Sequence, residues 1–446
     1  MTLIELGEAT WPEEEHLQRP RPPIGRRQIR KVAVAVVAGL CLAGLTASQR
    51  PAPPRVQTLW SAPSWPEFGM VVAAGTAFTQ QTDPGGIRIT AFALDSGEQR
   101  WSRVVGDAAG FLQAAEPAGL LLASADRQVA ALVPGAAEPL APEFSRQTIA
   151  LDMRTGEERW RAPGEVQAIE ARTATMTEYR DDGTPRRLRV IRLADDHVMW
   201  SIDATDIDAH TVAHTGDQPT AFITVKTDGT ATVHRYADGT RLVTGHIPWT
   251  RPKREGGYFN DLFAIGGRLI AYAHQPDRSI TEAYDLATLR MVWGLEAADG
   301  YVTPCGTGVC FQGGATVMAH DAATGKPLWT LPVTANVWPI SDDRIVLYEG
   351  DSDTDHLSVI DARTGATLGE RPTGSMVWTD RPGTAMLLTR AVGSPPDRTV
   401  LTRWDTRTGR QDVLGLIDHL TGSGCQSAPG YVICQIGTKI EVTVVR

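Results

Sequence analysis

The chain has no Gly-rich phosphate loop, no H-E-x-x-H helix, no G-x-S-x-G elbow and no two adjacent cysteines. The first three absences remove P-loop nucleotide hydrolysis, zinc-dependent proteolysis and serine acyl transfer from an elbow. Basic clusters are scarce in the body of the chain. With 43 Lys+Arg against 52 Asp+Glu, a formal net charge of -9 and no Lys/Arg-rich block in its repeats, a groove that tracks nucleic-acid phosphates is not expected. Long apolar runs are absent but for one, Val32 to Ser48, an uncharged stretch of 17 residues.

That run is at the short end of what crosses a bilayer. Arg19, Arg21, Arg26, Arg27, Arg30 and Lys31 precede it, whereas only Arg50 and Arg55 follow closely. The positive-inside rule therefore predicts a transmembrane helix over 32–48, with the tail 1–31 cytoplasmic and disordered and everything beyond residue 50 outside the cell membrane. The rival reading is a cleaved signal, against which Leu45 and Ala47 make a poor small-x-small site. Arg26-Arg27 and Cys41 suggest a twin-arginine or lipoprotein signal; ordinary basic flanks and the Leu40 before Cys41 weaken both. Residues 49–57, Pro-rich, read as an extended linker reaching at most about 28 Å at ~3.1 Å per residue.

Beyond residue 57 the chain, with 43 Gly and 29 Pro in its full length, repeats one hairpin. VMAHDAATGKPLWTLPV holds its turn with Asp321, Thr324 and Gly325 and returns through Trp329. Copies are ALDMRTGEERW (Asp152, Gly156, Trp160), VIDARTGATLG (Asp361, Gly365) and RWDTRTGRQDV (Asp405, Gly409), with a shortened ALDSGEQRW (Asp95, Gly97, Trp101). Weaker ones keep Trp293, Trp200 or, in HRYADGTRLV, only a turn. The tryptophans at 160, 200, 293 and 329 lie 40, 93 and 36 residues apart, one or two units of about four short strands, the size of a propeller blade. Eight blades are predicted between residues 67 and 415. The remainder, 420–446, has three strand-like runs, and the missing one is supplied by Thr58 to Pro63 with Trp60. The expectation is an all-β, eight-bladed β-propeller over 58–446, with nine if the split blade counts separately, preceded by one transmembrane helix.

The A-x-D-x-x-T-G-x-x-x-W repeat resembles the pyrroloquinoline-quinone (PQQ) type β-propeller repeat. The resemblance implies that Trp101, Trp160, Trp293 and Trp329 pack between neighbouring blades; Gly369 and Val413 stand where later blades lose that tryptophan. The family holds quinoprotein dehydrogenases and also non-catalytic scaffolds such as the outer-membrane assembly lipoprotein BamB. The dehydrogenases pair adjacent cysteines over the cofactor and present a catalytic Asp with calcium ligands. This chain lacks that cysteine pair, and its repeat Asp residues are explained by turns, so no catalytic, cofactor or metal residue is assigned.

Cys305, Cys310, Cys425 and Cys434 form two local pairs, each flanking a turn, as suits an oxidising exterior. Local pairing leaves no free thiol among them; a four-cysteine zinc site is the weaker alternative. Asp351, Asp353 and Asp355 begin like a calcium loop, but His356 and Ala362 occupy the positions of its Gly and closing Glu. His210 and His214 share a strand at roughly 13 Å, by ~3.3 Å per residue, too far for one metal.

What remains is a face. The loops at 82–86, 180–186, 274–279, 349–356 and 393–398 join second to third strands and share one side of the disc with the inter-blade links, including 251–261. Their mixed charge suits a protein partner or an envelope polymer. The expected function is a non-catalytic, monomeric, membrane-anchored scaffold that binds an envelope protein or polymer, with no cofactor and no nucleic acid. The alternatives are a quinoprotein dehydrogenase and a sensor signalling through its tail.

Overall fold

In the computed structural model the chain divides into residues 1–54 and 55–446. The residues described are 55–64, 70–106, 110–129, 143–249, 259–275, 278–297, 300–350, 356–378, 384–390, 398–418 and 424–446. The expected tail, membrane helix and most of the Pro-rich linker lie outside them, as do Cys41, Asp351, Asp353 and Asp355. No helix among the described residues is long and apolar enough to cross a membrane.

Residues 55–446 form nine four-stranded antiparallel sheets, not eight. Blades 1 to 8 span 70–105, 112–163, 165–203, 207–246, 259–297, 301–331, 336–368 and 375–418. Blade 9 takes its inner three strands from 425–445 and its outer strand, β1 (Val56–Pro63), from the beginning of the ring. β1 pairs with Lys439–Val445 from Val56↔Val445 to Pro63↔Lys439. Eight sheets carry a turn between third and outer strand and so carry the repeat's turn residues. The ninth has no such turn, because its third strand is Lys439–Val445 and its outer strand is β1, which is why a count of repeats falls short by one.

Nine apolar clusters are arranged one per junction between neighbouring blades, the last joining blade 9 to blade 1 through Ala62, Met70, Leu94, Ile433 and Ile440. The repeat motif builds these junctions. Asp321 Oδ1 accepts the Thr324 amide at 2.8 Å and its hydroxyl at 2.6 Å. Gly325, at φ 69°, lets the turn close onto the third strand. A Cβ on Gly325 would lie 2.6 Å from Cγ of Trp293, the outer-strand tryptophan of the preceding blade. Trp293 Nε1 then donates to the carbonyl of Ala322 in that same turn at 2.9 Å. The bond recurs from Trp60 to Leu94, Trp101 to Met153, Trp160 to Leu193, Trp200 to Tyr236 and Trp329 to Ala362. Each docked indole removes about 200 Å² from water while keeping its N–H paired.

Two motif copies differ from their reading in the sequence. ALDSGEQRW is full length: the Ala93 amide bonds Glu98 O as the Asp152 amide bonds Glu157 O, so Ala93, not Asp95, stands at the Asp position. RLADDHVMW is complete as well, with Asp196 at φ 53° in place of the glycine.

The missing tryptophans have reasons. Blade 9 has no turn for blade 8 to dock against, and Val413 is correspondingly exposed. Between blades 7 and 8, Gly369 meets Gly409 backbone to backbone, and Trp404, from the third strand of blade 8, fills the junction completely buried. Between blades 4 and 5, Val243 takes the tryptophan position and Leu289, at φ 52°, takes the glycine's. Trp249, from the inter-blade link, completes that core.

Both disulfides join neighbouring inner strands. Cys305–Cys310 (Cα–Cα 5.3 Å) closes the inner hairpin of blade 6, and Cys425–Cys434 (Cα–Cα 4.1 Å) closes that of blade 9, where the two residues are direct cross-strand partners.

Candidate functional site

Two described cavities open on the side of the ring that carries the second-to-third-strand turns and the inter-blade links. The turns themselves are built for order. Asp83 accepts the Gly85 amide at 3.1 Å and the Arg88 guanidinium at 2.8 Å. Asp182 accepts the Thr184 hydroxyl at 2.6 Å and its amide at 2.9 Å, and Asp228 the Thr230 amide at 2.8 Å. These bonds hold all three carboxyls below the usual carboxylate range, so the turns remain anionic.

The smaller cavity, about 220 Å³, lies at blades 2 and 3 between Phe111, Arg127, Phe144, Ser145 and Glu165. Gly110 makes room in its wall, since a Cβ there would fall 2.2 Å from Ser124 Oγ. Glu165 accepts the Ser145 amide at 2.8 Å across the junction, while burial raises its carboxyl above the usual range. Phe144 packs on Tyr179 with ring centroids 5.1 Å apart, and burial together with the nearby Glu165 pushes the Tyr179 phenol up to about 12. Arg146 reaches Asp181 at 3.1 Å, and a largely buried Arg189–Glu178 pair at 3.0 Å lies beneath. Of the lining charges, Arg127 pairs with Glu143.

The larger cavity, about 440 Å³, separates blades 4 and 5. Asp228, His246, Pro248 and Trp249 form one wall; Ala271, Ala273, Arg278, Ile280 and Glu282 belong to the other blade. The space follows from sequence: Ala271 and Ala273 alternate on one face of their strand and leave no side chain to fill it. Trp249 is fixed by a 2.7 Å bond from Nε1 to Asp208 Oδ2.

The residues singled out in the sequence are not brought together. The repeat Asp, Gly and Trp residues are spread around the ring at turns and junctions. His210 stacks on Phe222 at 5.5 Å, burial lowering its pKa, whereas His214 Nε2 meets Glu170 at 3.0 Å. Ala362 offers its carbonyl to Trp329, which is its role in place of a calcium ligand's. No group of three His, Cys, Asp or Glu among the described residues could hold a metal ion. Glu165, Tyr179 and Trp249 escaped the sequence reading. Only Trp249 carried a signal, as a tryptophan beside Pro248 outside the repeat.

The geometry defines the class: a β-propeller of PQQ-type repeats whose last blade is completed by the first strand of the ring. Residues 277–403 match the sequence model of a family described as "Outer membrane protein assembly factor BamB". No curated protein matches the chain in sequence. Among solved structures, BamB from Moraxella catarrhalis is similar at 13% identity and TM-score 0.41, over 87% of this chain and 99% of that one. The computationally designed Ika8 protein is similar at 11% identity and TM-score 0.46, over 87% and 98%. A eukaryotic initiation factor is similar at 10% identity and TM-score 0.48, over 78% and 88%. At these identities and TM-scores the fold rests on the chain's own nine sheets.

Proposed function

We propose that the protein is a non-catalytic scaffold, held to the cell membrane by residues 32–48 with the propeller outside, that binds an envelope protein or polymer through the face carrying both cavities. The observation that supports this reading is where the ring is joined to the rest of the chain. β1 begins beside Val445, at the end of the blade opposite the second-to-third-strand turns. The chain thus enters the ring at the end of blade 9 away from the second-to-third-strand turns, and those turns and both cavities share the other end of the blades. Ordered anionic turns beside open cavities suit a macromolecular partner.

The experiment is site-specific photo-crosslinking in native membranes. Probes at Thr184 and Thr227, on the proposed face, should capture a partner, and probes at Thr364 and Arg407, on the opposite turns, should not. Capture only from Thr364 and Arg407 would reverse the assignment. Stoichiometric PQQ with alcohol oxidation by the purified chain would replace scaffold by quinoprotein.

A further inference from the structure

We infer that the cavity between blades 4 and 5 is a receptor for a basic side chain of a polypeptide: a lysine or arginine inserted with its aliphatic stem between the blades. The cavity's size, about 440 Å³, lies in the range of pockets that enclose small ligands. Its lining divides by chemistry. Pro248, Trp249 and Ile280 supply apolar contact for a methylene stem. Asp228 and Glu282 supply carboxylates from opposite walls.

The charges facing the cavity favour a cation. Asp228 is held anionic by the Thr230 amide and hydroxyl, with Lys226 and His246 contributing at longer range. Lys226 itself points to Asp206 at 3.9 Å. Glu282 accepts the Tyr284 hydroxyl, which donates one hydrogen and leaves carboxylate lone pairs for a further donor. Arg278 is the one guanidinium among the described lining residues, and Glu296 balances it at 3.6 Å. Two carboxylates against one already paired guanidinium leave the site net negative. An anionic ligand would meet like charge, and a wholly apolar one would strand the carboxylates.

The site is also rigid. Gly229 fits where a Cβ would come 2.3 Å from Ile247 O, and the Ile247 amide bonds Gly229 O at 2.9 Å, so the turn carrying Asp228 is stapled to the link carrying Trp249. An indole held by Asp208 beside two carboxylates is a preorganised cation site. For the source of the ligand, a polypeptide, this inference rests on the scaffold reading above.

The test titrates the full chain, purified in detergent, with short capped peptides, Gly-Gly-X-Gly-Gly, in a calorimeter. X as Lys or Arg should bind saturably, weakening with salt, and X as norleucine or Glu should not bind. Asp228→Asn and Glu282→Gln should each weaken binding by about fivefold or more, within the range of charge-assisted contacts, with the melting temperature kept; Asp182→Asn in blade 3 should change nothing. Equal binding of the norleucine peptide, or parent-like binding by both cavity variants, overturns the inference. Binding of 1,4-diaminobutane without the peptides would overturn the polypeptide source in favour of a free amine. If cross-links from Thr184 and Thr227 persist while no basic peptide binds, the pocket falls and the scaffold stands. If basic peptides bind while those cross-links fail, the pocket stands without it.

Discussion

Trp60 donates its Nε1–H to the carbonyl oxygen of Leu94 at 2.9 Å, the bond that Trp101 makes with Met153 one blade further on. The strand at the start of the ring therefore docks blade 9 on blade 1 just as each ordinary outer strand docks its neighbour. Gly97 sits beneath the Trp60 indole, 2.7 Å from it to a notional Cβ.

Removing that strand should open the ring. A chain beginning at Ser64 should aggregate or melt well below one beginning at Arg55, because Lys439–Val445 then becomes an unpaired edge. Trp60→Ala should lose about 3 kcal/mol, as aromatic truncation in packed sites does. Equal melting temperatures by calorimetry for the two chains would mean that β1 does not seal the ring.

Two glycines with the same backbone should respond differently to alanine. Gly156 (φ 72°) faces the Trp101 ring at 2.6 Å, whereas Gly75 (φ 68°) has nothing within 4 Å. Gly75→Ala should cost about 1 kcal/mol of backbone strain. Gly156→Ala adds displacement of the indole and should cost roughly 1–3 kcal/mol more. Denaturant midpoints compare them directly.

Asp361 should make an acid-dependent contribution. Bonds from the Thr364 hydroxyl and amide, then the Arg363 amide, outweigh slight burial and hold its carboxyl below the usual range. A folded-state pKa below the unfolded one gives stability that is complete above the unfolded carboxylate range, near 3.9, and is lost as pH falls through the folded pKa. Asp361→Ala should cost about 1 kcal/mol at neutral pH. The difference from the parent should shrink toward zero in an acid series of urea melts.

How much of this was legible in the sequence depended on which residues did the work. Asp321, Thr324, Gly325 and Trp329 act within a short hairpin and its immediate neighbour, so spacing alone exposed the turn and the blade length. The local cysteine pairs were readable for the same reason. Trp404 and Leu289 were not: each compensates for a tryptophan that another blade lacks, at Gly369 in one case and at Val243 in the other, and such a partner is visible only once blades are placed side by side. Both cavities are of this second kind, since Ala271 and Ala273 look like ordinary strand residues until Trp249 is brought opposite them.

The junction between blades 4 and 5 tests that compensation. Val243→Trp should cost about 1–3 kcal/mol, because Leu289, only 5% exposed, occupies the space that a glycine leaves at other junctions. Val243→Trp combined with Leu289→Gly should recover most of the loss and also relieve the positive φ of Leu289. Additive losses in a double-mutant cycle would refute the equivalence.

The disulfides should be separable in effect. Replacing Cys305 and Cys310 by serine closes no alternative pair with Cys425 or Cys434, and each bond should contribute about 2 kcal/mol, the value expected for short loops. Non-reducing peptide mapping should return only the 305–310 and 425–434 pairs.

The place where the chain enters and leaves the ring has a mechanical consequence. The Arg446 amide bonds Arg55 O at 2.9 Å, and Arg55 is paired with Asp412 of blade 8 at 3.1 Å. A pull transmitted through residue 54 bears first on this corner and then on the ladder from Val56↔Val445 to Pro63↔Lys439. The seam that completes the circle is thus also the first part of it to bear tension, ahead of any blade whose four strands are continuous in the chain.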